Sequence, residues 1–213
     1  MAQTKKKKRF FEVNIPLIDK GTQLQAYEYE ELDKRIIKYD LTRVLRGKNM
    51  VYTGIISIVD GNAIVTSKKI QLLPYFLKRL VRKGTRYVED SFSTDCVNAQ
   101  IRIKPFLVTR RKVSRAVRRS LRDLCKTELI KYVKNKQTEQ VFDDVLKNKI
   151  QKILSLKLKK IYPLSTCEIR ILDVERFKDP SEIVEVPAQI VEQNDEEAET
   201  TTEEIETVEE QTE

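Results

Sequence analysis

The sequence predicts an α+β fold, and three observations carry that prediction. From residue 35 to 109, short apolar runs alternate with polar residues, the period of half-buried strands. From about residue 113 to 160 the apolar positions recur at three- and four-residue intervals, the period of helices. Alternation then returns near Thr166, where Cys167, Ile169 and Ile171 interleave with Glu168 and Arg170.

Residues 1–12 form a basic N-terminal arm. Its cations are Lys5, Lys6, Lys7, Lys8 and Arg9. Such an arm fits a nucleic-acid contact, a nuclear-import signal or a solubilising tail. Phe10, Phe11, Val13, Ile15, Leu17 and Ile18 supply apolar anchors that dock the segment onto the body. Gly21 to Leu32 is polar and reads as a loop.

Residues 13–109 form a β-rich domain with one short helix. Residues 35–41 read as a strand, and residues 43–49 as a basic connection carrying Arg43, Arg46 and Lys48. Residues 51–59 and 63–66 flank Asp60-Gly61-Asn62, a hairpin with Asp-Gly at its turn. Residues 73–83 read as a helix. Pro74 fits its first turn, Leu73, Leu77, Leu80 and Val81 share a face, and Gly84 stops it. Lys78, Arg79, Arg82 and Lys83 lie on its outer side as a basic cluster. A second strand pair follows at about 86–93 and 99–109, where Pro105 requires an edge or a bulge.

Residues 110–176 form a helical segment that closes with a strand. Thr138 is a candidate N-cap. Val141, Phe142, Val145 and Leu146, then Ile150, Ile153 and Leu154, continue helical spacing as two helices hinged near Asn148. The last strand runs over residues 166–174. Residues 177–213 are a low-complexity acidic tail. They offer too little apolar surface to offset their ordering entropy and are expected to be disordered.

The length of 213 residues suits one or two domains with a real core. Charge is sharply segregated. From residue 179 onward there are 14 acids and no Lys or Arg, so the preceding 178 residues hold all 41 basic groups against 19 acids, a net of +22. That is the footprint of a nucleic-acid binder. Cys96, Cys125 and Cys167 form no CxxC, so neither a zinc site nor a disulfide framework is expected, and buried thiols in a reducing cytosol fit better. No apolar run reaches the roughly 18 residues of a membrane span, and the charged start lacks the apolar stretch of a signal peptide.

Residues 109–135 concentrate the charge, with ten Lys or Arg against Asp123 and Glu128. Wrapped as a helix, Val113, Ala116, Val117, Leu121 and Leu124 share one face. Arg111, Lys112, Arg115, Arg118, Arg119, Arg122 and Lys126 fall on the opposite arc, with Arg110 just before them. Almost no acid stands at i+3 or i+4 to pair with these cations, so neighbouring like charges oppose the helix. A phosphate backbone would relieve that repulsion, and Arg binds phosphate bidentately. A solvated basic face is the plainer alternative. Tyr52, Tyr75, Tyr87 and Tyr162 are candidates for stacking on unpaired bases or for packing inside the fold.

The order of motifs resembles a known family. KKKRFFEV, RIIKYDLTR, VTSKKIQLLPYFLKRLVRKGTRYVEDSF, FLVTRRKVSRAVRRSLRDL and LKKIYPLSTCEIRILDVE are similar to the archaeal and eukaryotic small-subunit ribosomal protein family called S-three-a, the eukaryotic-type S-one proteins. The likeness covers about residues 5–174, and the length looks archaeal. It implies a mixed, barrel-like β domain with flanking helices on the platform of the small subunit. It also implies contacts with ribosomal RNA near the mRNA exit and with neighbouring platform proteins, a cytoplasmic location, and no cofactor.

An RNA-processing enzyme is the competing class, and the residues offer little for it. The chain has no His, the commonest general base, and five glycines in total leave no Gly-rich phosphate loop. Asp143-Asp144 is the paired-acid feature of the helical segment and reads as a solvated helix face rather than a metal site. A free RNA chaperone or DNA-binding protein stays open on composition alone. The acidic tail fits shielding of the basic body, docking of a partner, or simple solubility.

Overall fold

Residues 62–72 turn buried and more exposed side chains largely in alternation, and in the computed structural model, which describes residues 7–45, 47–59 and 61–178, they form the strand on which half the sheet is built. This strand, β5 (Asn62–Leu72), pairs antiparallel along one edge with β4 (Met50–Val59), from Met50 opposite Leu72 to Val59 opposite Asn62. Its other edge is shared. Near its start, β1 (Arg9–Ile15) approaches parallel at Asn14 opposite Ile64. Near its end, β9 (Leu164–Phe177) pairs antiparallel over Lys69–Gln71. β2 (Lys20–Ala26) lies outside β1, and β3 (Ile36–Asp40) outside β4.

A second long strand repeats the pattern. β8 (Ala99–Thr109) pairs with β9 along its whole length, and its other edge holds β7 (Phe92–Asp95) and then β6 (Tyr87–Glu89). Pro105 sits in the gap between those partners and at a bulge in the pairing with β9. A proline has no N–H for a ladder, so this is where the strand tolerates one.

The sheet therefore runs β2-β1-β5-β9-β8-β6, with β3-β4 and β7 as side branches. Among the described residues no pairing joins its two ends, so the nine strands do not close into a barrel. The barrel-like expectation is corrected on that point. β5 spends its two edges on three partners, so the sheet branches instead of curling shut.

Three helices follow β8: α2 (Arg115–Lys134), α3 (Thr138–Leu146) and α4 (Lys149–Lys159), with α1 (Pro74–Leu80) earlier in the chain. α4 packs on β9 and on α2, α2 on β6 and β7, and α3 on β5 and α4. Their buried side chains, including Leu121, Leu129, Phe142, Ile150 and Leu158, join Ile101, Ile103, Leu107 and Ile169 in one core. Asn148, at φ 63°, makes the expected break between α3 and α4. α2 and α3 are also joined by a shielded polar group. Asp144 accepts from the Tyr132 hydroxyl at 2.8 Å and from Lys136 Nζ at 3.0 Å, with the Lys136 and Asp144 side chains only 12% and 8% exposed.

Several local expectations change. The polar stretch after Gly21 is not a loop but β2 and a one-turn 3-10 helix (Tyr29–Leu32). Only Ala26 of that strand is buried, so its pairing with β1, not its own pattern, makes it a strand. β1 itself begins at Arg9, inside the expected arm. α1 stops at Leu80, because Val81 is extended (φ −86°, ψ 117°), so Arg82 and Lys83 lie beyond the helix. Gln137, not Thr138, caps α3, through reciprocal bonds with Gln140. The acidic tail beyond Lys178 lies outside the described residues.

Gly54 lies at a register shift between β4 and β5, and a Cβ there would overlap Val65 Cγ1 and sit 3.0 Å from the Thr66 carbonyl oxygen. Gly54→Ala should lower the unfolding free energy by about 1–3 kcal/mol in urea titrations followed by circular dichroism.

Stability should also respond to pH on the alkaline side. Burial pushes the Cys96 and Cys125 thiols up to about 12 and Cys167 higher still, and it raises Tyr132 to about 12. Burial opposes the charge on Lys136, but its hydrogen bonds to Tyr132 and Asp144 prevail and raise its pKa. All these groups keep protons in the folded chain that the unfolded chain releases. Their contribution is therefore full below the unfolded thiol pKa of about 8.5 and is lost as pH rises above it. Each thiol should remove up to about 1.4 kcal/mol per pH unit there. A urea midpoint that stays level between pH 8 and 10.5 would refute this.

Candidate nucleic-acid interface

Helix α2 starts at Arg115, where the Ser114 hydroxyl accepts from the Val117 amide at 3.4 Å. Arg110, Arg111 and Lys112 thus precede the helix and lie, exposed, in the loop from β8. The buried seam also differs from the expected face. It is Leu121, Cys125, Leu129 and Val133, while Ala116 is exposed and Val113, Val117 and Leu124 are half-buried. A four-residue repeat advances about 40° round the axis at each step, so the seam winds toward the cations as the helix proceeds. The basic arc consequently borders the core rather than standing opposite it. Arg118 is half-buried with its Nε shielded and unpartnered, Arg122 Nε donates to the Glu89 carbonyl at 3.3 Å, and Lys126 Nζ lies 5.8 Å from the centre of the Phe92 ring.

The arc is not neutralised by the protein's own acids. Among the described residues only Arg119 has a carboxylate within 4 Å, Asp123 at 3.8 Å, and both side chains are well exposed. An exposed i,i+4 pair of this kind contributes about 0.3–0.5 kcal/mol, too little to offset the repulsion along the arc.

Thr109, fully buried at the end of β8, brings two basic loops together. Its hydroxyl lies 2.9 Å from the Arg86 carbonyl and 2.7 Å from the Arg111 carbonyl, and it accepts from the Arg86 amide at 3.1 Å. The Thr109 amide also donates to the Arg86 carbonyl at 2.8 Å. Arg86 and the 110–112 loop are thereby held side by side just before α2. Arg86, exposed and adjacent to this junction, is a cation that the sequence reading missed, because it stood alone at the start of an expected strand.

The other candidates are dispersed. Lys78 and Arg79 close α1, with Arg79 5.3 Å from the Phe76 ring centre and its Nη2 3.5 Å from Asn49 Oδ1. Arg43 is exposed between β3 and β4. Lys48 is committed internally, its ammonium bonded to Asn148 and, at 2.7 Å, to Glu168. Lys7, Lys8 and Arg9 are exposed at the start of β1, which β5, β9 and β8 separate from β6 in the sheet. Lys5, Lys6 and Arg46 lie outside the described residues. Of the tyrosines, Tyr52 is fully buried on Ser67 and Tyr162 is packed against the core, whereas Tyr75 and Tyr87 are both exposed.

Of Asp143-Asp144, only Asp143 faces solvent as expected, and Asp144 is buried. Asp144 is held by Tyr132 and Lys136, and Asp143 pairs with Lys147 at 2.6 Å. Both carboxylates therefore already have cationic partners. Among the described residues no three His, Cys, Asp or Glu side chains converge as metal ligands, and no helix is long and apolar enough to cross a membrane.

Fold and surface together define a basic scaffold protein, in which fixed loops and one helix present unneutralised cations. Residues 2–177 match the Ribosomal S3Ae family, and the chain belongs to that family. It is a ribosomal protein and not an enzyme. It is similar to the small ribosomal subunit protein eS1 of Nanoarchaeum equitans (strain Kin4-M), with 26% identity over 166 residues, 74% of this chain and 84% of that protein.

Thr109→Val removes the hydroxyl that joins the two loops and leaves the Arg86 amide short of a partner. We expect a loss of about 1–3 kcal/mol in unfolding free energy and faster amide hydrogen exchange at Arg86. Unchanged exchange at Arg86 would show that the loops are held by other means.

Proposed function

We propose that this chain is a structural constituent of the small ribosomal subunit that holds ribosomal RNA by phosphate contacts, on the platform near the mRNA exit, beside neighbouring platform proteins. As a small-subunit ribosomal protein it works in the cytoplasm, in translation. The observation that carries the RNA contact is the surface made by Arg110, Arg111, Lys112, Arg115 and Arg119 with Arg82, Lys83 and Arg86. These side chains are exposed, of one sign and, apart from the weak Arg119 pair, without carboxylate partners among the described residues. Folded RNA is held through such phosphate contacts and through shape, with no chemistry required. The platform position and the mRNA neighbourhood are supported by family likeness alone.

Binding to small-subunit RNA should weaken steeply with salt. Neutralising about six phosphates predicts a loss on the order of a thousandfold between 50 and 200 mM salt, measurable by filter binding. Charge reversal is best made at the exposed positions, since Arg118 and Arg122 also touch the fold. A triple variant Arg111→Glu, Arg115→Glu, Arg119→Glu should keep its thermal midpoint and lose most of its co-sedimentation with small subunits. A flat salt response, or wild-type incorporation of the folded variant, would refute the reading. A free RNA chaperone would stay off the particles at moderate salt even as wild type.

A further inference from the structure

Two tyrosines are equally exposed, at 53%, but only Tyr87 is set on another ring. It stacks on Phe106, with centroids 5.9 Å apart and planes 22° apart, and Phe106 is itself buried. One face of the phenol ring is therefore fixed against the fold, and the other is left to solvent on β6, at the end of the sheet. The Tyr87 hydroxyl has no partner among the described residues. Arg86 precedes it, and Thr109 holds the Arg110–Arg111 loop beside Arg86.

Glu89 is two residues further along the strand, so it lies on the same side as Tyr87 and about 7 Å away. It borders an open pocket of about 440 Å³, lined also by Asp90, Ser91, Lys104, Pro105 and Arg170. Arg170 Nη1 donates to both Glu89 oxygens at 3.1 Å. The pocket holds two acids and two bases, so its charges cancel, whereas the adjoining loops carry one sign. Phosphates are drawn to the loops and gain nothing from the pocket. The pocket suits an uncharged group with donors and acceptors along its edge, which is the chemistry of a nucleobase.

We propose that Tyr87 and the Glu89–Arg170 pocket receive one unpaired nucleotide. Its base stacks on the free face of Tyr87 with its polar edge toward the pocket, and its flanking phosphates lie on Arg86, Arg110 and Arg111. This inference rests on the RNA-binding reading above. Stacking on an aromatic side chain tolerates any base, so the site adds affinity for single-stranded RNA before it adds sequence preference.

The test uses the full chain and a short oligouridine carrying one 2-aminopurine, whose fluorescence is quenched by stacking. Wild type should quench it. Tyr87→Ala should abolish the quench and weaken binding about 5- to 100-fold without changing the salt slope, because no phosphate contact is lost. Tyr87→Leu keeps Phe106 covered without offering a π-face and should behave the same, which guards against a folding defect in Tyr87→Ala. Tyr87→Phe should keep both affinity and quench. Arg110→Glu with Arg111→Glu should instead lower the salt slope. Wild-type affinity and quenching by Tyr87→Leu would overturn the stacking site and leave the phosphate reading standing. Failure of the wild type to bind the probe at low salt would defeat both.

Discussion

The pairing of β9 between β5 and β8 holds the architecture together. Every other connection in the sheet lies on one side of it or the other: β1 to β5 on one, β6 to β8 on the other. β9 reaches β8 from Thr109 to Ala99 and β5 over Lys69–Gln71, so its ladder is what makes one sheet of two. The same strand supplies Cys167, Ile169 and Leu172 to the core and takes the packing of α4. It also carries Glu168, which binds Lys48 from the β3–β4 connection, and Arg170, which binds Glu89 at the far edge. The rigidity of the basic loops follows from this, since Thr109 is fixed by the strand that β9 fixes.

Charge is distributed by two rules. Where a carboxylate is buried it is paired, as in Lys48–Glu168 and Lys136–Asp144, and removing one partner of such a pair costs about 3–5 kcal/mol. At the N-terminus of α2 and the loops beside it, the cations face solvent and almost none is paired. The protein thus uses its acids to hold elements together and withholds them from the surface where cations crowd. The charges that hold the fold together are therefore different from those left exposed beside α2.

Much of the fold was legible in the sequence because it rests on local pattern. Alternation located β3, the β4–β5 hairpin and β9, the left-handed Asn148 separated two helices, and Pro105 marked a bulge. What escaped was set by partners far along the chain. β2 buries one residue and is a strand because β1 pairs with it. The phase of α2 was misjudged because Val113, Ala116, Val117 and Leu124 offered a competing stripe, whereas contact with β7 and α4 selected Leu121, Cys125, Leu129 and Val133. Closure into a barrel came from resemblance, and no local pattern speaks to it. At the basic surface, the cluster was visible as composition, but its assembly was not, since Thr109 joins residues 23 positions apart. Tyr52 shares the parity of the buried Gly54 and Ile56 in β4, which places it inside.

The position of β9 in the chain shapes the order of folding. Its residues leave the ribosome after the eight other strands of the described residues, so until then the edge of β8 and the end of β5 expose unpaired amides and carbonyls. Non-local closure of this kind is slow, and at roughly 5–20 residues per second of synthesis the nascent sheet stays split for several seconds. During that interval the chain is at its most vulnerable to pairing with another strand, and chaperone occupancy should be greatest just before Leu164 to Phe177 emerge.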